Sequence, residues 1–217
     1  MATAAFFDLD GTLLTANSAR LWLRRERRLG RITGWQMVHA ALRLGGYTIG
    51  VLDMEGALRA ALATLRGVEE AFIRAETRVW WSEEVRPHVA PGGRVVLEEH
   101  RRRGDRLVLL TSSSRYAAEM AREEFRLDDA LFQIYEVRKG CFTGEPGRPI
   151  CFGSGKVEVA ETWARAHGVD LAGSSFYTDS STDLPMLERI GHPFAVRPDP
   201  RLRMVARARG WPVLDWR

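Results

Sequence analysis

The chain predicts an α/β protein, a doubly wound parallel sheet with an all-helical segment inserted after its first strand. Three observations lead there. Apolar runs of strand length alternate with helical patterns through most of the 217 residues, an order that puts helices on both faces of a parallel sheet. Between about residues 18 and 82 the strand-like runs stop and apolar residues recur at helical spacing. Polar residues suited to chemistry recur where the strand runs end, and open α/β sheets bind ligands beyond those ends.

The run from Ala4 to Leu9 is too apolar for a half-exposed edge and reads as a short buried strand. Leu21, Trp22 and Leu23, then Trp35, Met37, Val38, Ala41 and Leu42, then Leu58, Leu62 and Leu65, then Ala71, Phe72 and Val79 mark four short helices. Gly30, Gly45-Gly46, Gly50 and Gly67 punctuate them. The tryptophans of this segment, closing with Trp80-Trp81, belong to a bundle core. Pro87 and Pro91-Gly92-Gly93 mark the return to the main body, so residues 1–15 and 88–217 form the core and 16–87 the insertion.

Beyond that return, a helix from about Arg94 to Arg103 feeds a strand from Arg106 to Leu110. A helix runs on to Phe125, and a strand is expected from Ala130 to Val137. The turn-rich stretch from Lys139 to Gly147 reads as a hairpin projecting over the site. A helix from near Gly155 to His167 follows, then a strand from Ser174 to Thr178 and a helix from Thr182 to Ile190. A strand from Pro193 to Val196, a helix from Arg201 to Arg209 and a last short strand from Pro212 to Leu214 complete the alternation.

Composition narrows the class. A charge of +4, from 32 basic against 28 acidic residues, is too small an excess for a general polyanion binder. The arginine runs at 24–28 and 101–103 fall within helices and read as solvated faces, so no nucleic-acid partner is expected. Cys141 and Cys151 are too few for a disulfide framework and read as reduced thiols. No apolar stretch reaches the ~18 residues of a membrane span and no signal peptide is visible, so a cytoplasmic enzyme is expected, with its oligomeric state open.

The stretch Phe6-Phe7-Asp8-Leu9-Asp10-Gly11-Thr12 organises the rest. Residues i and i+2 of a strand point to one side, so Asp8 and Asp10 face one pocket where the strand ends. Two anions so close are costly unless a cation sits between them or one is protonated, and Mg²⁺ suits hard oxygen ligands. A lone Asp-x-Asp is more often just an acidic turn, and it also occurs in sugar-nucleotide enzymes, so support must come from downstream. Thr111-Ser112 ends the second strand at a helix start, where a hydroxyl and free N–H groups can hold a phosphate; serines there also serve as plain caps. Lys156 follows Gly153-Ser154-Gly155, but Ile150 and Val157 break the phosphate-loop pattern. A lysine in a helix's first turn opposes the dipole unless an anion offsets it. Asp179 ends a further strand, with Asp183 four residues on. Carboxylates, a hydroxyl and a lysine at neighbouring strand ends point to metal-assisted phosphoryl transfer.

These four elements, in this order and spanning nearly the whole chain, resemble the haloacid dehalogenase-like (HAD) phosphohydrolase superfamily. The segments Tyr177-Thr178-Asp179-Ser180-Ser181-Thr182-Asp183-Leu184-Pro185 and Phe194-Ala195-Val196-Arg197-Pro198-Asp199, with Gly210-Trp211-Pro212, resemble its phosphoserine-phosphatase-like branch, subfamily IB. The inserted helices are similar to its C1-type cap. The resemblance implies Asp8 as nucleophile forming an aspartyl-phosphate and Asp10 as general acid and then base. It implies Mg²⁺ held by Asp8, the Asp10 carbonyl and Asp179, with Asp183 nearby, and Thr111, Ser112 and Lys156 on the phosphoryl oxygens. Asp10 favours phosphatase over dehalogenase. Asn17 stands where phosphoserine phosphatases carry a glutamate for the substrate ammonium. Their cap arginine aligns with Ala61, near Arg59. The expected function is hydrolysis of a small phosphomonoester other than L-phosphoserine. A lysophospholipid phosphate phosphatase, a phosphotransferase and a catalytically silent binding module are the alternatives.

Overall fold

The computed structural model describes residues 2–31 and 54–216. Strands β1 (Ala4–Phe7), β2 (Arg106–Ser114), β3 (Asp129–Gln133), β6 (Ser175–Thr178), β7 (His192–Val196) and β8 (Val213–Leu214) pair in parallel in the order β3-β2-β1-β6-β7-β8. Strands β4 (Tyr135–Arg138) and β5 (Cys141–Pro146) make a separate antiparallel hairpin. Helices α1 (Ser18–Arg28), α2 (Met54–Ala63) and α3 (Glu70–Trp80) lie between β1 and β2 in the chain. Helices α4 (Pro91–Arg103), α5 (Arg115–Phe125), α6 (Ser154–His167), α7 (Leu184–Arg189) and α8 (Pro200–Arg209) alternate with the remaining strands. This is the doubly wound sheet that the sequence predicts.

Strand alternation sorts the core into two layers. Phe7, Leu107 and Leu109 share one apolar cluster with Leu97 of α4 and Ala118 and Met120 of α5. Phe6, Val108 and Leu110 point the other way, onto Trp163 of α6, Leu187 of α7 and Leu202 of α8. Across the first face, Phe7, Tyr177 and Phe194 are register partners on β1, β6 and β7. Their rings stack in sequence, at 5.0 and 4.5 Å between centroids. β1 is thus buried on both faces and paired on both edges, which fixes where its end points.

The inserted helices share this core. Leu21, Trp80, Trp81 and Val85 belong to the same cluster as Phe7, and Trp22 meets Trp80 edge to face at 5.3 Å. The expected helix around Trp35 to Leu42 lies outside the described residues. The turn between α2 and α3 is hydrogen-bonded to the hairpin. Gly67 N–H donates to the Phe142 carbonyl at 2.9 Å, Phe142 N–H to the Val68 carbonyl at 2.9 Å, and Glu70 N–H to the Gly140 carbonyl at 2.8 Å.

Three expectations need correction. β2 continues to Ser114, with a register shift against β3 beyond Leu110. The single strand expected from Ala130 to Val137 is two, because Gln133 turns the chain out of the sheet. Its Nε2 donates to the Ile134 and Gly147 carbonyls at 2.8 and 3.0 Å, and its Oε1 accepts from Cys151 N–H at 2.8 Å. The arginine run of α1 is not uniformly solvated either. Arg25 is buried, because Glu83 and Glu84 take its guanidinium at 3.1 and 3.0 Å. Both cysteine thiols are free.

Candidate active site

The site is built where β1, β2 and β6 end side by side. Asp8 extends β1 by one hydrogen bond, its N–H donating to the Tyr177 carbonyl at 2.9 Å. The chain then makes a wide turn over Leu9–Leu13, closed by Leu14 N–H on the Leu9 carbonyl. Within that turn Asp10 stays extended and Gly11 takes φ +74°, a conformation that suits glycine. Glycine is needed for space as well. A Cβ on Gly11 would stand 2.1 Å from Asp179 Oδ2, so the two acidic turns are in contact there.

Lys156 ties the cluster together. It is 2% exposed, with Nζ donating to Asp8 Oδ1 at 3.0 Å and to Asp183 Oδ2 at 2.8 Å. Its position in the first turn of α6 is offset by these two carboxylates. Thr178 Oγ1 also donates to Asp183 Oδ2, at 2.7 Å. Asp183 Oδ1 is buried with no hydrogen-bond partner among the described residues, an arrangement costly unless something binds there.

Asp10 is held separately. Ser18, the first residue of α1, donates its N–H to Asp10 Oδ1 at 2.7 Å and its Oγ to Oδ2 at 2.9 Å. Ser113 Oγ donates to the same Oδ2 at 3.2 Å. Ser18 and Ser113 are the residues that the sequence did not single out. A hydroxyl at a helix start reads as a cap, but here Asn17 caps α1 by accepting from Arg20 N–H, which leaves Ser18 for Asp10. Thr111 is buried beside Ser113, its Oγ1 accepting from Ser113 N–H at 3.1 Å, while Ser112, two residues before the end of β2, is exposed. Arg59 lies apart from these groups on α2, ion-paired to Glu55 at 3.0 Å and to Glu145.

The electrostatics favour a bound cation or a bound proton. Burial pushes Asp8 up to about 7; Lys156 opposes this, and the charges of Asp183 and Asp10 add to it. Burial, with Asp8 and Asp183 nearby, pushes Asp179 up to about 8. Burial also raises Asp10, against the hydrogen bonds from Ser18 and Ser113. Lys156 is buried too, but Asp183 and Asp8 outweigh that and hold it protonated. One lysine therefore faces four carboxylates. Among the described residues no three metal-binding side chains already converge as a closed cage. This set, hard oxygens with one orphaned carboxylate oxygen, fits Mg²⁺, which keeps several waters and takes few carboxylates.

The family model described as haloacid dehalogenase-like hydrolase matches residues 5–188. A phosphoserine phosphatase of Mycobacterium tuberculosis is 31% identical over all of this chain and 72% of its own length. A histidinol-phosphatase of Neisseria meningitidis is 27% identical over the whole of both chains. The crystal structure of a protein of unknown function from Bordetella pertussis superposes with a TM-score of 0.90 at 29% identity, covering both chains entirely.

Proposed function

The chain belongs to the haloacid dehalogenase-like hydrolase family, and from that premise we propose that it is a Mg²⁺-dependent phosphatase acting on a small phosphomonoester. The observation that supports this best is the Lys156 ammonium between Asp8 and Asp183, beside an Asp10 oriented independently by Ser18. Asp8 is the nucleophile. Lys156 holds its Oδ1, and a carboxylate oxygen attacks phosphorus as the bond to the ester oxygen breaks. Asp10, kept protonated more readily by burial, gives its proton to the departing alkoxide. In the second step Asp10 takes a proton from water, the hydroxide attacks the aspartyl-phosphate, and the bond from phosphorus to Asp8 breaks to release phosphate. Thr111, the Ser112 N–H and Lys156 hold the non-bridging oxygens. Asp8, Asp179 and the Asp10 carbonyl would hold Mg²⁺, with Asp183 next to it through Oδ1; the ion supplies charge neutralisation to the phosphoryl group.

The inserted helices act as the cap that selects the alcohol. Asn17 is engaged in capping α1 and Arg59 in ion pairs, which argues against an ammonium and carboxylate clamp for L-phosphoserine. The test is phosphate release from a panel with Mg²⁺, holding phosphoserine, histidinol phosphate, sugar phosphates, nucleotides, lysophosphatidate and a generic aryl phosphate. Metal-dependent turnover abolished in Asp8→Asn is expected. No release from any ester would overturn the proposal.

A further inference from the structure

One short segment touches both acidic turns. Arg197, the first residue after β7, has φ +45°, which carries its side chain back under the Asp8–Gly11 turn. Its Nη2 donates to the carbonyls of Gly11, Thr12 and Leu14 at 2.7, 3.0 and 3.0 Å. Its own N–H is anchored on the Leu214 carbonyl at 2.8 Å. Two residues on, Asp199 grips the other turn. Its N–H donates to the Asp179 carbonyl at 2.8 Å, and its Oδ2 accepts from Ser181 N–H at 2.6 Å. Its Oδ1 caps α8 through Leu202 N–H at 2.8 Å, so the segment is fixed to the scaffold.

Left to themselves, two turns lined with carboxylates would drift apart by repulsion. Three carbonyl oxygens on one guanidinium fix the peptide planes that follow Asp10. The backbone grip on Asp179 does the same across the contact at Gly11. We propose that Arg197 and Asp199 are positioning residues that hold the Asp10 turn and the Asp179 turn in register, so that both can serve one divalent cation. This rests on the phosphatase reading of the site and adds to it a brace from outside the acidic cluster.

Arg197→Gly tests it, because glycine is at ease at that φ and the whole side chain, guanidinium included, is lost without new backbone strain. Asp199→Asn is the companion, since an amide oxygen can still cap α8 while the Ser181 contact weakens. Both are compared with wild type and Asp8→Asn in two measurements, Mg²⁺ binding by calorimetry and phosphate release from an aryl phosphate. Misplacement by a fraction of an ångström should lower kcat by about thirtyfold in Arg197→Gly with KM little changed. Mg²⁺ affinity should fall by about tenfold, the scale seen when supporting groups around a metal are removed. Millimolar guanidinium should restore part of the activity through the open groove of about 550 Å³ that Gly11, Asp179 and Arg197 line; a merely structural arginine would show no such recovery. Wild-type kcat and Mg²⁺ affinity in both variants, with Asp8→Asn inactive, overturns the brace and leaves the phosphatase reading standing. A wild type that binds Mg²⁺ but releases no phosphate sinks that reading, and the brace then stands or falls on the Mg²⁺ affinity of the two variants.

Discussion

The Asp179 carboxylate occupies the space where any side chain on Gly11 would have to begin, with Oδ2 2.1 Å from the position of a Cβ. That contact joins the end of β1 to the end of β6 and sets the spacing of the acidic cluster. Gly11→Ala should therefore fail in two ways. Strain at φ +74° and displacement of Asp179 together should cost roughly 1–3 kcal/mol of stability, and activity should fall at least about a hundredfold. Gly104→Ala is the control: φ is +80°, with nothing within 4 Å of the added methyl. It should lose stability in urea melts while keeping full turnover. Equal activity in the two variants would remove the steric argument.

Crowded carboxylates make a definite prediction for pH. Asp8 and Asp179 titrate in the folded protein at about 7 and about 8, against ~4 in an unfolded chain. Between those values the native state holds protons that the unfolded state has released. Stability of the metal-free protein must then fall as pH rises from ~4 through about 8, and level off above. Melting temperatures in EDTA should follow that slope. Mg²⁺ should raise them more at pH 8 than at pH 5, because it competes with protons for the same oxygens. Asp179→Asn should flatten the slope and blunt the response to Mg²⁺. A metal-free melting temperature that climbs over this range would show that the cluster is not under strain.

Lys156→Met keeps the length of the side chain and removes its charge. Asp8 Oδ1 and Asp183 Oδ2 would each lose a donor. On the proposed role of Lys156 at the phosphoryl group, losing this preorganised cation should lower kcat by about a hundredfold to a thousandfold. Single-turnover assays would separate slow attack from slow release. Turnover within a few-fold of wild type would rule Lys156 out of the chemistry.

Ser18→Ala probes the acid and base role proposed for Asp10. The Ser18 hydroxyl bond at 2.9 Å favours the ionised carboxylate, and burial opposes it. Without the hydroxyl, Asp10 should hold its proton to higher pH. Both limbs of the pH–rate profile assigned to this group should move in the alkaline direction, with the Ser18 N–H contact retaining orientation. An unmoved profile would detach Asp10 from the titration that governs the rate.

How much of this was visible in the sequence follows from the range of each interaction. Asp8 and Asp10 follow β1 two residues apart, and Asp179 and Asp183 stand four apart between β6 and α7, so closeness along the chain keeps the members of each pair near one another. The alternation of apolar strand-length runs with helical patterns likewise pointed to the doubly wound sheet. Lys156 was marked by a mismatch with its helix dipole that an anion would offset. Tertiary structure decided the rest. Gln133 breaks a continuous apolar run because its amide meets Gly147 and Cys151, and Arg25 is buried because Glu83 and Glu84 reach it. Ser18 serves Asp10 because Asn17 has already capped α1. Arg197 braces the turn at Gly11 from 186 residues away along the chain. A pattern within a few residues reports what one element buries; it carries no signal for a partner that only the folded sheet brings into contact.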